Sequence, residues 1–228
     1  MSNKVYNARL SHDLFEVIEN GEAVGYGGSQ SWYSKDSDKK CACGITAAAD
    51  VILYINALRK QNFRIEKEDF INVSGMLKKK YLPVIPRFGV NSFILAIGMC
   101  RYFRKMEPGY VCYWKITPFR KWKTVEKMLK NDIPVILAIG SNFPVVWGKH
   151  CLKLYRKTDP GVSQTEVQGH FVVITGIHGD TIVISSWGKK YFIKKSEFDA
   201  YVRRYSGHLY SNILVIMRTK DRNSKTER

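Results

Sequence analysis

The sequence predicts an α+β protein in which helices come first and a mainly antiparallel sheet follows. Three observations carry this. Through GITAAADVILYINALRK, the apolar residues Ile45, Ala48, Ala49, Ile52, Ile55 and Leu58 recur near helical spacing. Two more stretches of helix-forming residues follow before Pro108. From Pro134 onward, short apolar runs are separated by glycine and turn residues, as in strands joined by tight turns.

Taken in order, the first helix begins at or just after Cys43 and runs to Lys60, apolar on enough of its surface to be buried. The second runs from about Lys67 to Lys80, and the third from about Asn91 to Met106, closed by Pro108-Gly109. Thr124 to Lys130 reads as a short helix. The run Pro134 to Gly140 reads as a buried strand, and His170 to Gly176 as another. After a turn at Gly179-Asp180, Thr181 to Ser185 returns, and Tyr191 to Ile193 is a third strand. Ser196 starts a short helix, and Asn212 to Met217 supplies the last strand. No repeat or low-complexity linker divides the chain. Residues 1–219 are therefore expected to form one unit, with a helical side over about 1–130 and a sheet side over 131–219. The tail 220–228 is basic, lacks apolar residues and is expected to be disordered.

Composition narrows the function classes. With 45% apolar residues in 228 the chain can bury a substantial core. It contains no apolar run of membrane-spanning length, and its first thirty residues lack the apolar block of a secretory signal, so a cytoplasmic location is expected. The five cysteines are scattered and odd in number, which argues for reduced thiols. Cys41 and Cys43 are the one close pair, with no second pair to complete a zinc site, so neither metal nor cofactor is expected. The formal charge of +17 favours acidic partners for the basic surface. Nucleic acid is not expected, because no nucleic-acid-binding motif accompanies the charge.

Chemistry concentrates at two positions. A thiol becomes a nucleophile when its thiolate is stabilised. Cys43 stands directly before Gly44 and a strong helix, beside the positive end of the helix dipole and its free N–H groups, which can also donate to an oxyanion. Gly44 leaves the sulfur without a covering side chain. Cys41 is the rival, but it falls in a Lys-Lys-Cys-Ala stretch expected to be loop. A lone cysteine is more often a small buried hydrophobe, so a base is needed to distinguish the two cases. Of the five histidines, His170 alone opens a strongly apolar strand after a glycine, whereas His150 and His178 fall in expected loops. From there it could project an imidazole toward the facing layer.

Gln30 and Trp32 within Gly-Gly-Ser-Gln-Ser-Trp, Cys43-Gly44, Gly169-His170-Phe-Val-Val and Ser185-Ser186-Trp187-Gly188 follow one another in the chain. This order resembles the Gln, Cys, His and Asn-Ser-Trp-Gly order of papain-like cysteine peptidases. The layout looks closest to the bacterial branch related to bacteriocin-leader, or double-glycine, peptidases. The likeness covers about residues 25 to 200 and implies a papain-like fold with its central helix starting at Cys43.

It implies Cys43 as nucleophile, His170 as general base and acid, Gln30 as a side-chain donor to the oxyanion, and Trp187 as a cover over the contact behind the imidazole. The implied substrate is a peptide or protein. Two departures stand out. Gln30 lies 13 residues before Cys43, so the segment from Tyr33 to Lys40 must loop out. The place of the orienting Asn or Asp falls to Ser185, which carries no charge; Asp180, a possible substitute, falls in the expected turn at the far end of the strand pair, roughly 16 Å away at strand rise. Trp32, Trp147 and Tyr155 are candidates for an aromatic cleft wall. The alternatives are a papain-like binding module without activity, and a basic nucleic-acid-associated protein.

Overall fold

The computed structural model describes residues 5–12, 16–61, 64–85, 89–142 and 148–219. Three short strands open the chain: β1 (Asn7–Arg9), β2 (Glu16–Glu19) and β3 (Glu22–Tyr26). A 3-10 turn at Gln30–Trp32 leads into α1 (Asp36–Cys41) and α2 (Cys43–Lys60). Then come β4 (Ile65–Glu66), α3 (Lys67–Lys80), α4 (Ser92–Met106), β5 (Tyr110–Trp114) and α5 (Lys121–Lys130). The last part holds β6 (Val135–Ile139), β7 (Leu152–Lys157), β8 (Val162–Val167), β9 (His170–His178), β10 (Thr181–Ser186) and β11 (Lys189–Lys194). It closes with α6 (Lys195–Tyr201) and β12 (Ile213–Arg218).

The protein is α+β, with a mainly antiparallel sheet. Nine strands form one sheet in the order β5-β12-β6-β9-β10-β11-β7-β8, with β1 paired to the far end of β9. β9 is the spine: Ile139 faces His170 in the β6 pairing, and Ser185 faces Val173 in the β10 pairing. Eight of the nine β9 residues are buried, which explains the nearly continuous apolar run His170-Phe-Val-Val-Ile. α2 packs across β9 and against α3. It is buried on most sides, from Ile45 and Ala48 to Tyr54 and Ile55, as its sequence requires of an interior helix. Asn91 begins α4 by accepting from the amides of Phe93 and Ile94, the N-cap geometry that fixes a helix start. Among the described residues, no helix is long and apolar enough to cross a membrane.

The first half contains more strand than its sequence suggests. Five short strands lie before residue 121, of which β1 and β5 join the large sheet while β2, β3 and β4 form a second, three-stranded one. These segments are three to five residues long or shorter, too brief for a period-two pattern to stand out. The hairpin of β7 and β8 was hidden for another reason: five of the six β8 residues are exposed and mostly polar. The segment expected to loop out between Gln30 and Cys43 contains α1, docked on α3 by Lys78 Nζ to the Asp38 carboxylate at 2.5–2.6 Å. The basic tail 220–228 lies outside the described residues.

Candidate functional site

Cys43 is the first residue of α2, and His170 the first of β9. Packing of α2 across β9 brings both to one small crevice, together with Gln30, Asp50, Ser186 and Trp187. The crevice has room for about 10 Å³, hardly more than a single water. The close fit begins at Gly44, where a Cβ would come within 3.3 Å of the Phe171 ring; glycine lets the first turn of α2 lie against β9. Cys43 remains partly exposed. Burial pushes its thiol up, while backbone groups of Phe171 and Gly44 hydrogen-bonded to the sulfur pull it back down. Cys41, expected in a loop, is instead the last residue of α1, at the negative end of that helix's dipole.

His170 is held from two sides. Its Nε2 is 2.8 Å from Ser186 Oγ, and its ring stacks on Trp187 with centroids 4.5 Å apart and planes at 19°. Nδ1 makes no hydrogen bond among the described residues, and none joins the ring to the Cys43 sulfur. Burial lowers the imidazole to about 4, which keeps the ring neutral at pH 7.

Ser186, not Ser185, is the residue behind the ring, and sheet register explains the correction. Ser185 also lines the crevice, but it opposes Val173, three residues from His170, so its side chain is on the Phe171 face against which α2 packs, and its hydroxyl donates to the Tyr26 carbonyl at 2.8 Å rather than to the imidazole. Ser186, one residue on, shares the face of His170. Asp180 takes no part, since its carboxylate accepts from the amide and hydroxyl of Ser196 at the start of α6.

Trp187 and Gly188 form the two-residue loop between β10 and β11, with φ of 50° and 68°. Positive φ at both centres is the turn that matches strand twist, and it is unusual for so bulky a residue as tryptophan. This turn is also pinned to the Gly-Gly-Ser-Gln segment. Gly188 N–H donates to the Gly28 carbonyl at 3.0 Å, and Tyr26 N–H to the Gly188 carbonyl at 2.9 Å. A Cβ on Gly28 would overlap the Phe70 ring, so that glycine is required for close packing.

Gln30 is buried at the start of its 3-10 turn, and its Nε2 donates to the Lys39 carbonyl at 3.2 Å. The folded α1 thus closes the sequence gap and keeps the amide beside the crevice, though bonded to protein. Trp32 packs edge-on against Phe70 and Tyr155 bonds Glu197; neither lines the crevice, and Trp147 lies outside the described residues.

Sequence reasoning missed Asp50. It sits seven residues after Cys43 on the same face of α2, 5% exposed, and accepts from Gly28 N–H at 2.8 Å. With one hydrogen bond and no cation beside it among the described residues, burial pushes its carboxyl up to about 7. The signal was present: a carboxylate inside the apolar run Ala-Ala-Ala-Asp-Val-Ile-Leu. No family model matches the chain, and no curated protein or solved structure matches it either.

Proposed function

We propose that the protein is a papain-like thiol hydrolase that cleaves a peptide or amide bond through a Cys43 acyl-enzyme. The observation that carries this reading is that Cys43, at the N-terminus of a buried helix, and His170, held by Ser186 and Trp187, line one crevice, where a substrate carbonyl would have to bring them into contact. The pair rests neutral. His170 Nδ1 takes the thiol proton as sulfur bonds to the carbonyl carbon. The N–H groups at the start of α2 and the Gln30 amide, once released from Lys39, stabilise the oxyanion. His170 then returns the proton to the leaving amine, and water, deprotonated by the same ring, releases the acid and regenerates the thiol.

The matched order of Gln30, Cys43, His170 and Trp187 supports this reading, as does the turn that places Trp187 on the ring. The crevice has room for hardly more than one water, so a substrate must displace side chains to enter. A second reading, a papain-like binding module, draws on one observation: the group behind His170 is an uncharged hydroxyl, which steadies an imidazolium less than a carboxylate does.

A peptidyl warhead aimed at thiols separates the two. The hydrolase reading expects Cys43 to be labelled far faster than Cys100, Cys112 and Cys151, with labelling lost in His170→Ala. Equal, slow labelling of all cysteines, unchanged by His170→Ala, would exclude it in favour of the binding module.

A further inference from the structure

Two of the remaining cysteines face each other far along the chain from this site. Cys100 lies on the third turn of α4, and Cys112 is the middle residue of β5. The chain reverses tightly between them: Glu107 N–H caps α4 on the Phe103 carbonyl, and Tyr110 N–H bonds back to Glu107. β5 therefore runs back along the helix it follows. The two sulfurs are 2.9 Å apart, and Cys100 Sγ also donates to the Cys112 carbonyl at 2.7 Å. That separation is inside ordinary non-bonded contact but well beyond the ~2.05 Å of a disulfide bond. Both thiols are free and both are partly exposed, so a small reagent can reach them.

We infer that Cys100 and Cys112 are a reversible dithiol–disulfide pair that exchanges with low-molecular-weight disulfides, and that its closure ties α4 covalently to the edge strand of the large sheet. Geometry supplies the pairing, and local electrostatics supply an order of events. The Cys112 thiol donating to it, together with the nearby Arg104, pulls Cys100 down to about 7, while Cys112 is pushed up. Of the two, Cys100 is the readier to ionise and Cys112 the readier to keep its proton. Such an unequal pair is suited to exchange.

The Cys100 thiolate attacks one sulfur of the small disulfide, breaking its S–S bond and expelling one small thiolate. Cys112 gives up its proton and attacks the Cys100 sulfur of the mixed disulfide, expelling the second. The protein loses two protons and two electrons, and the small disulfide is reduced to two thiols. β5 pairs on one side only, with β12, so the bridge would fasten a strand held by a single neighbour.

The test uses the full chain and oxidised glutathione. After incubation, the titratable thiols in denaturant should fall from five to three, the intact mass should drop by two hydrogens, and peptide mapping should find Cys100 joined to Cys112. Dithiothreitol should reverse all three changes. In Cys100→Ser or Cys112→Ser the bridge cannot close, and the surviving cysteine of the pair should accumulate one glutathione instead. Retention of five thiols, a bridge between Cys41 and Cys43, or glutathione adducts on wild type without the bridge would each overturn the inference. The readouts involve no catalysis, so they stand or fall independently of Cys43 hydrolysis.

Discussion

The two walls of the crevice bury titratable groups in opposite ways. On the β9–β10 wall, His170 has a hydroxyl on one nitrogen and an indole against its face, and burial lowers it to about 4. On the α2 wall, Asp50 has a single backbone donor, and burial raises it to about 7. Both shifts favour the uncharged form, because neither wall brings an opposite charge to its group. The difference lies in what each group holds: the sheet wall orients an imidazole, whereas the helix wall anchors the Gly28 segment that carries Gln30.

The strongest way to break this contrast is to remove the base. His170→Ala is expected to slow labelling of Cys43 by about 10²–10⁴-fold, the usual worth of a positioned general base, while leaving reagent access intact. In wild type the acid limb of the labelling rate should lie near pH 4, the value to which burial lowers His170, and should vanish in the variant.

Asp50→Asn tests the helix wall through stability. Folded Asp50 keeps its proton from 3.8 up to about 7 while the unfolded chain releases it, so its contribution is complete below pH 3.8 and lost as pH rises to about 7. The full loss is on the order of 4 kcal/mol for so buried a group. His170 acts with the opposite sign, adding stability as pH rises from about 4 to 6.5. Denaturant unfolding across pH 4–7 should therefore show two partly cancelling slopes in wild type and a net rise with pH in Asp50→Asn. Identical profiles would show that Asp50 is ionised in the fold.

Gly28→Ala probes the joint between the walls. Its Cβ would overlap Phe70, and chemical unfolding should register a loss of about 1–3 kcal/mol, typical of overpacking. The smallest effect separates two adjacent serines: Ser186→Ala should slow Cys43 labelling about tenfold through a less oriented ring, and Ser185→Ala should change it less. A reversal of that order would restore Ser185 to the place behind the imidazole.

Helices α2, α3 and α4 were legible from apolar residues at helical spacing, and the strands β6, β9 and β10 from short apolar runs bounded by turn residues. Cys43 and His170 were legible because each opens such an element. Ser186 was not, since a one-residue choice between Ser185 and Ser186 depends on pairing register, which only the partner strand settles. α1 was hidden in a charged stretch, Asp-Ser-Asp-Lys-Lys-Cys, whose stability comes from docking on Lys78 rather than from an apolar stripe. Asp50 was not legible because helical spacing reveals which positions are inside but not which buried carboxylate has no opposite charge beside it.

The central position of β9 also bears on how the protein is made. α2 is synthesised early and β9 late, yet the crevice exists only where they pack together. On a ribosome, Cys43 emerges long before His170, Ser186 and Trp187. A nascent chain therefore carries Cys43 without its crevice partners, and the proposed site is complete only when the last strands have joined the sheet.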